Sequence, residues 1–301
     1  MLLTWLIYTL VLMASSKQRE MRVTLLTFCY LGIRPDRPDG YYITPLNDYV
    51  QRILPHSSSF ALEVYTSREH VNRIGSLPFG RVLSLEPEEL MAEVWDDPEA
   101  LDAYHNLIQR NPTHSGSYQA RFRRLIAVYL AKVAAIRKTF LSGCDACFWF
   151  DSGHWISYQA GHDLSQYRPQ LQDGVTANGL SERLLDAAAR YGVVGSQALP
   201  GKKKFHMPLA WMHEYGPELG YNNARDLPFC SAVFWLVHRN SVELFFTRFQ
   251  HWWLRLLADG KAGIEENALT LMTWEQRCHV ATYDTWVQVL RGGNLPRFTG
   301  M

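Results

Sequence analysis

The sequence predicts an α/β protein, with a mostly parallel sheet flanked by helices in a single domain. Short runs rich in β-branched and aromatic residues alternate with longer stretches of helical periodicity, which is the pattern of repeated strand–helix–strand units. The chain has 301 residues, of which 47% are hydrophobic, and a chain of this size buries roughly three-quarters of its unfolded surface. No internal repeat or long linker divides it, so we expect one domain over residues 21–301.

The individual elements follow from the period of the apolar residues. Strands are predicted where short apolar runs are bounded by turn residues, at 22–30, 60–66, 81–85, 146–151, 192–196 and 229–238. Helices are predicted where apolar residues recur every three or four positions, at 87–96, 98–109, 117–142, 179–191, 239–259 and 264–275. Residues 154–178 show little periodicity and contain two glycines, so a loop beside the sheet is expected there.

The charge balance and the cysteine count limit the partners and the compartment. With 30 basic and 29 acidic residues the net charge is +1, so we expect no nucleic-acid partner, and any bound anion must be met by local groups. Five cysteines are an odd number in a chain of this length. This count favours a reducing, cytoplasmic compartment over a disulfide scaffold.

Residues 1–20 differ from the rest of the chain. They begin with the apolar run MLLTWLIYTLVLMA, which is shorter than the roughly 20 residues that span a bilayer and lacks the positive start of a signal peptide. We interpret residues 1–20 as an apolar appendage to the domain. The alternative is weak membrane association through residues 2–13.

The clearest functional signal lies at residues 147–153, where the buried run C-F-W-F leads directly into Asp151, Ser152 and Gly153. In open α/β sheets ligands bind at the carboxyl ends of the strands. A carboxylate at that edge can hold a divalent cation whose other ligands are water and substrate phosphates. The alternative is that Asp-Ser-Gly is a common turn that ends a strand.

A lysine on the preceding helix strengthens the functional interpretation. Lys132 projects from the apolar side of the predicted helix 117–142, which leads directly into the strand that ends at Asp151. A buried lysine is uncommon unless it is paired. A cation near this edge is also what a nucleotide diphosphate requires.

The strand-terminal acid in FWFDSG, with a lysine nineteen residues upstream on a helix, resembles GT-A type glycosyltransferases, in particular the bacterial HtrL/YibB-like group. The matching residues are Lys132, Trp149, Asp151 and Gly153. The segment FCSAVFWLVHRNSVELFFTRFQHWW is similar to the strand and helix that line the acceptor site in such enzymes, and GIEENALTLM is similar to their acidic helix start. The resemblance spans residues 21–290. It departs from the family pattern where D-x-D becomes D-S-G.

The resemblance implies a GT-A-like (Rossmann-like) domain that moves a sugar from a UDP- or GDP-linked donor to an unknown hydroxyl or other nucleophilic acceptor. It also implies Mn²⁺ or Mg²⁺, which would stabilise the leaving diphosphate. The missing second aspartate puts metal dependence in question. It also supports an alternative, a catalytically degenerate GT-A-like protein that acts in binding or as a scaffold.

The expected site residues follow from the strand ends and from the resemblance. Glu265 and Glu266 open a predicted helix and are the candidate catalytic acids, although acids in a first helical turn also complement the helix dipole. The metal ligands are expected to be Asp151 and His279, since the third ligand in GT-A enzymes often comes from near the C-terminus. The expected donor-binding residues are Thr27, Tyr30, Ser67, Arg68, Lys132, Ser152 and Gly153.

Two other kinds of chemistry are disfavoured by the sequence. Cys144 and Cys147 have the spacing of a redox pair, but they enter a strand instead of opening a helix, and no second pair is present for zinc. No Walker loop or G-x-G-x-x-G follows a predicted strand. We therefore expect these cysteines to belong to the core and to a turn.

Overall fold

The computed structural model describes residues 22–44, 46, 60–74, 80–97, 100–112, 114–151, 177–198, 209–221, 228–261, 263–282 and 285–286. Residues 1–20, Ser152 and Gly153, and most of the expected loop 154–178 lie outside these ranges. No helix of the described residues is both long and apolar enough to cross a membrane.

The described strands form one seven-stranded sheet. In chain order they are β1 Val23–Phe28, β2 Phe60–Thr66, β3 Gly80–Ser84, β4 Ala146–Phe150, β5 Val193–Gln197, β6 Cys230–His238 and β7 His279–Ala281. In space the order is β3-β2-β1-β4-β6-β5-β7. Strand β6 is antiparallel to both of its neighbours, β4 and β5, and the other pairs are parallel. The prediction of a mostly parallel sheet is confirmed, and β7 is an additional strand that the sequence did not indicate.

Helices cover both faces of the sheet, as predicted. They are α1 Val71–Ile74, α2 Pro87–Val94, α3 Leu101–Arg110, α4 Tyr118–Arg121, α5 Arg124–Leu141, α6 Ala177–Tyr191, α7 Leu209–Glu218, α8 Val242–Ala258 and α9 Glu265–Gln276. The buried apolar residues of α5 and α8 pack on the sheet face that carries Leu26 and Trp149. Those of α6 pack on the opposite face with Leu25 and Phe148.

Two helical predictions differ from the structure. The predicted helix 117–142 is interrupted at Phe122, whose extended backbone ends α4 before α5 begins. The short helix α4 has its own cap, because the Ser117 hydroxyl accepts a hydrogen bond from the Ala120 amide at 3.2 Å. Helix α7 was not predicted, since Gly216 and Pro217 near its end are residues that normally interrupt a helix.

The strand order places a crossover point between β1 and β4. From β1 the chain moves through β2 to β3 at one edge, and it then returns to β4 on the other side of β1. The strand that follows β1 in the chain and the strand that follows β4 therefore lie on opposite sides of this point. Such a point is where open α/β sheets form a ligand-binding crevice.

Candidate functional site

Asp151 lies at this crossover point, immediately after β4. Its backbone amide donates to the Val233 carbonyl of β6 at 3.0 Å, so the strand geometry persists through this residue. Side chains alternate along a strand, which directs Asp151 to the same face as Trp149, the face that α5 covers. The side chain is 33% exposed. The sequence-based placement of this acid at the carboxyl edge of the sheet is confirmed.

Lys132 reaches Asp151 from α5. Its ammonium nitrogen lies 3.8 Å from Asp151 Oδ2 and 3.5 Å from Glu265 Oε1, and the lysine side chain is only 8% exposed. The same nitrogen lies 4.4 Å from the centre of the Tyr129 ring. A buried ammonium group is costly unless carboxylates and aromatic faces surround it. The structure thus brings together two residues that the sequence paired and a third, Glu265, that it assigned separately.

Glu265 is the most deeply buried acid of this group, with 5% of its side chain exposed. Its Oε2 accepts a hydrogen bond from the Gln119 side chain of α4 at 3.2 Å. Burial raises the pKa of Glu265 to about 7, although Lys132 acts to lower it, and the neighbouring Glu266 raises it further. A carboxyl group that titrates near neutral pH can both accept and release a proton under physiological conditions.

The local sequence fixes the start of α9, and with it Glu265. The Ile264 amide donates to Asn267 Oδ1 at 2.7 Å, which caps the helix. Gly263 is required next to this cap, because a Cβ there would lie 2.3 Å from Asn267 Oδ1. Glu266 has a different environment from Glu265: its Oε1 accepts a hydrogen bond from the Ala232 amide of β6 at 2.9 Å. Glu266 therefore joins α9 to the sheet, whereas Glu265 faces the lysine.

A small cavity adjoins the Lys132–Glu265 pair. Its walls are mostly apolar and come from α5, α8, α9, β4 and β6, and they include Tyr129, Trp149, Trp235, Phe245 and Leu269. Aromatic walls exclude water from the ion pair. This exclusion is consistent with the raised pKa of Glu265.

The expected donor-binding residues of β1 and β2 lie along the same carboxyl edge. Thr27 and Ser67 are buried, and the Tyr30 hydroxyl donates to the Leu85 carbonyl at 2.8 Å. The Arg68 side chain is 71% exposed and pairs with Glu89 at 3.1 Å. Because β2 is separated from β4 by β1, Ser67 and Arg68 are one strand further from Asp151 than Thr27 and Tyr30 are.

His279 is not placed with Asp151. It begins β7, where it pairs with Val194 of β5, and that position aligns through β6 with Phe148 of β4. With strand spacings of about 4.8 Å and a rise of about 3.3 Å per residue, His279 is roughly 14 Å across the sheet and roughly 10 Å along it from Asp151. One metal ion cannot contact both residues at that separation. The shared metal site expected from the sequence is corrected on this point.

The described residues around Asp151 do not by themselves fit a divalent metal ion. No group of three or more His, Cys, Asp or Glu side chains within the described ranges is arranged to hold one. Asp151 brings a single carboxylate, and the Lys132 ammonium at 3.8 Å repels a second cation. The assignment of Mn²⁺ or Mg²⁺ to Asp151 stays a prediction.

Two residues that border the site were missed by the sequence reasoning. Arg34 follows β1 in the segment R-P-D-R-P-D, residues 34–39, and is only 8% exposed. Gln119 binds Glu265 from α4. A tandem Arg-Pro-Asp directly after the first strand is the signal that would have found the arginine, whereas nothing in the sequence around Gln119 marks it.

The comparisons with known proteins do not identify a family for this chain. No protein-family model matches it, and no curated protein matches it either.

Proposed function

We propose that this protein is a GT-A-like glycosyltransferase that moves a sugar from a UDP- or GDP-linked donor to a nucleophilic acceptor. One observation carries the proposal: a buried lysine joins a strand-terminal aspartate at the crossover point to a glutamate that titrates near neutral pH. Sugar transfer needs positive charge near the diphosphate and a group that accepts the acceptor's proton. The cluster of Asp151, Lys132 and Glu265 contains groups of both kinds.

Within this proposal Asp151 contacts the donor. It is the most exposed of the three residues, at 33%, and it lies where ligands of open α/β sheets bind. Lys132 holds the carboxylates of Asp151 and Glu265 within 4 Å of one ammonium group. This contact fixes the position of Asp151 and offsets its charge as an anionic donor approaches.

Glu265 is a better candidate than Glu266 for the general base. The Glu266 carboxylate accepts a backbone hydrogen bond from β6, which anchors it. Glu265 instead has a pKa of about 7, raised mainly by burial, so near neutral pH this carboxyl group can exchange a proton. Gln119 orients the carboxyl group by donating to its Oε2.

The alternative is a GT-A-like protein that binds nucleotides without catalysis. It is favoured by one specific observation, which is that both Glu265 oxygens face protein groups, Gln119 on one side and Lys132 on the other. The Glu265 side chain is also only 5% exposed. A base in that position reaches an acceptor only if the acceptor displaces one of these contacts.

To test the proposal, the full chain and two variants are each incubated with a panel of nucleotide sugars, and the rate at which UDP or GDP is released is measured. Glu265→Gln keeps the shape of the side chain but removes the base, which typically costs about 10² to 10⁴-fold in rate. Glu266→Gln is the matched control, because its amide oxygen still accepts from the Ala232 amide. Equal rates for both variants would contradict the role of Glu265, and nucleotide binding with no turnover of any donor would favour the non-catalytic alternative.

A further inference from the structure

Residues 34–39, which we call the arginine loop, read R-P-D-R-P-D and connect the end of β1 to a helical turn at residues 40–44. The Arg34 guanidinium donates two hydrogen bonds to Asp36, from Nε to Oδ1 at 3.2 Å and from Nη2 to Oδ2 at 2.8 Å. This two-point contact fixes the plane of the guanidinium group. Arg34 is thereby held in one orientation although it is almost fully buried.

Aromatic rings from α4 and from the helical turn at residues 40–44 contact both arginines of the loop. The Arg34 guanidinium carbon lies 3.7 Å from the centre of the Tyr118 ring, and that of Arg37 lies 4.5 Å from the centre of the Tyr41 ring. Hydrogen bonds from Arg34 and also from Arg37 lower the pKa of Tyr118. Stacked, oriented guanidinium groups lose little entropy when they bind a ligand.

The arginine loop has unmet hydrogen-bonding capacity. Among the described residues, Arg37 Nε is buried without a hydrogen-bond partner, and Asp36 Oδ2 is 3.9 Å from it. The Arg37 side chain as a whole is 34% exposed, although its Nε atom is buried. Of the two aspartates of the loop, Asp36 pairs with Arg34 and Asp39 pairs with Arg73 of α1, so Asp36 alone lies against the two arginines. An arginine with a purely structural role would be expected to satisfy this buried donor within the protein.

The arginine loop borders the crevice that contains Asp151. Tyr118 and Gln119 are consecutive residues of α4; the first stacks on Arg34, and the second binds Glu265. The charges of Arg34 and Asp151 both act on the Tyr42 hydroxyl. The loop leaves the end of β1, which is the strand next to β4. Both clusters therefore face the crossover point of the sheet.

We propose that Arg34 and Arg37 bind the diphosphate of the nucleotide donor. The proposal rests on the proposed function, and it assigns the charge that holds the phosphates to residues outside the Asp151 cluster. Guanidinium groups match the paired oxygens of a diphosphate in a planar, two-point geometry. The partial neutralisation of Arg34 by Asp36 keeps the group ordered without a ligand, while the partly exposed Arg37 supplies a second guanidinium group beside it.

The test is calorimetric titration of the full chain with UDP, GDP and inorganic pyrophosphate, in EDTA and at constant salt. Arg34→Lys keeps the charge but loses the planar geometry, and Arg37→Gln removes a charge from a partly exposed site. Each variant should bind UDP or GDP, and pyrophosphate, about 10- to 100-fold more weakly, which is the effect of losing one or two charge-assisted hydrogen bonds.

Arg137→Gln is the matched control, because Arg137 pairs with Glu243 at a partly exposed position on α5 and should leave binding unchanged. Thermal melting shows whether each variant is folded. If Arg34→Lys is not folded, Arg37→Gln alone provides the test. Nucleotide or pyrophosphate binding that weakens in the loop variants supports the proposal. Nucleotide binding that neither loop variant weakens overturns it but leaves the proposed function intact.

The remaining outcomes separate the two proposals further. Pyrophosphate binding that depends on Arg34 or Arg37, with no binding of UDP or GDP, would support the anion site and overturn the nucleotide-sugar function. Absence of any binding to the wild-type protein, with or without Mn²⁺, would overturn both.

Discussion

Replacing Lys132 with methionine should destabilise the protein in a strongly pH-dependent way. The substitution keeps the length of the side chain but removes the ammonium group that lies 3.5 Å from Glu265 and 3.8 Å from Asp151. At pH 5 the buried Glu265 is already protonated, since its pKa is about 7. The Lys132–Glu265 contact is then not an ion pair, and Asp151, the other partner of Lys132, is 33% exposed to water, so an apolar replacement costs less at this pH than at high pH.

The loss of stability expected for Lys132→Met at high pH follows from the same pKa of Glu265. In the wild-type protein the native state holds a proton on Glu265 between pH 4.5, the ordinary value, and about pH 7. Stability therefore falls over that range as pH rises, and it levels off above it. Removing Lys132 raises the pKa of Glu265 further, so the loss of stability continues above pH 7 until the new pKa is reached, at up to about 1.4 kcal/mol per pH unit. Between pH 7 and pH 9 the extra loss of stability is therefore at most about 3 kcal/mol.

The assay is urea unfolding followed by circular dichroism at pH 5 and pH 9, with free energies taken by linear extrapolation. Lys138→Met is the control on the same helix. Lys138 pairs with Glu93 at 2.7 Å, but both side chains are about a third exposed, so this variant should lose less than about 1 kcal/mol at either pH. If Lys132→Met lowers the free energy of unfolding by the same amount at pH 5 and pH 9, Lys132 does not offset the charge of Glu265.

Two further predictions concern α9. As the pH rises from 4.5 to 7, Glu265→Gln should become about 3 kcal/mol more stable relative to wild type, because glutamine does not ionise and so avoids the loss of stability that the raised pKa of Glu265 causes. Urea unfolding across this pH range measures the difference in free energy of unfolding, and a difference that does not change with pH would contradict the prediction. Gly263→Ala should lower the free energy of unfolding by about 1 to 3 kcal/mol, because the new Cβ would lie 2.3 Å from the capping oxygen of Asn267. Gly116→Ala, where a new Cβ meets nothing within 4 Å, is its control, and equal stability of the two alanine variants would show that the cap tolerates the methyl group.

The strands were the most predictable part of this fold. Strands β1 to β6 carry apolar runs such as FALEVYT and ACFWF, whose burial requires a sheet interior. Strand β7 has three residues, which is too short for any period to show. The break between α4 and α5 was missed because Leu125, Ile126 and their neighbours continue the apolar spacing, whereas the extended backbone at Phe122 ends the first helix.

The candidate site was predictable where the chain itself brings residues together. Lys132 and Asp151 lie on a helix and a strand that follow one another, so their meeting could be inferred from order and spacing. The stacking of Arg34 on Tyr118 joins residues that are far apart in sequence, and only the tertiary packing reveals it. The position of His279 depends on the strand order, which places β7 at the edge of the sheet opposite to β3.

The most direct test of the central claim compares the aspartates at the two ends of β4. Asp145 precedes the strand, where its Oδ2 accepts from the Arg22 amide at 2.9 Å, and Asp151 follows the strand at the crossover point. Binding of UDP and GDP to the wild-type protein and to the two asparagine variants would be measured by calorimetry with and without Mn²⁺. We predict that folded Asp145→Asn binds as the wild type does and that Asp151→Asn binds at least about tenfold more weakly. Unchanged affinity in Asp151→Asn would contradict the assignment of this edge as a nucleotide-diphosphate site.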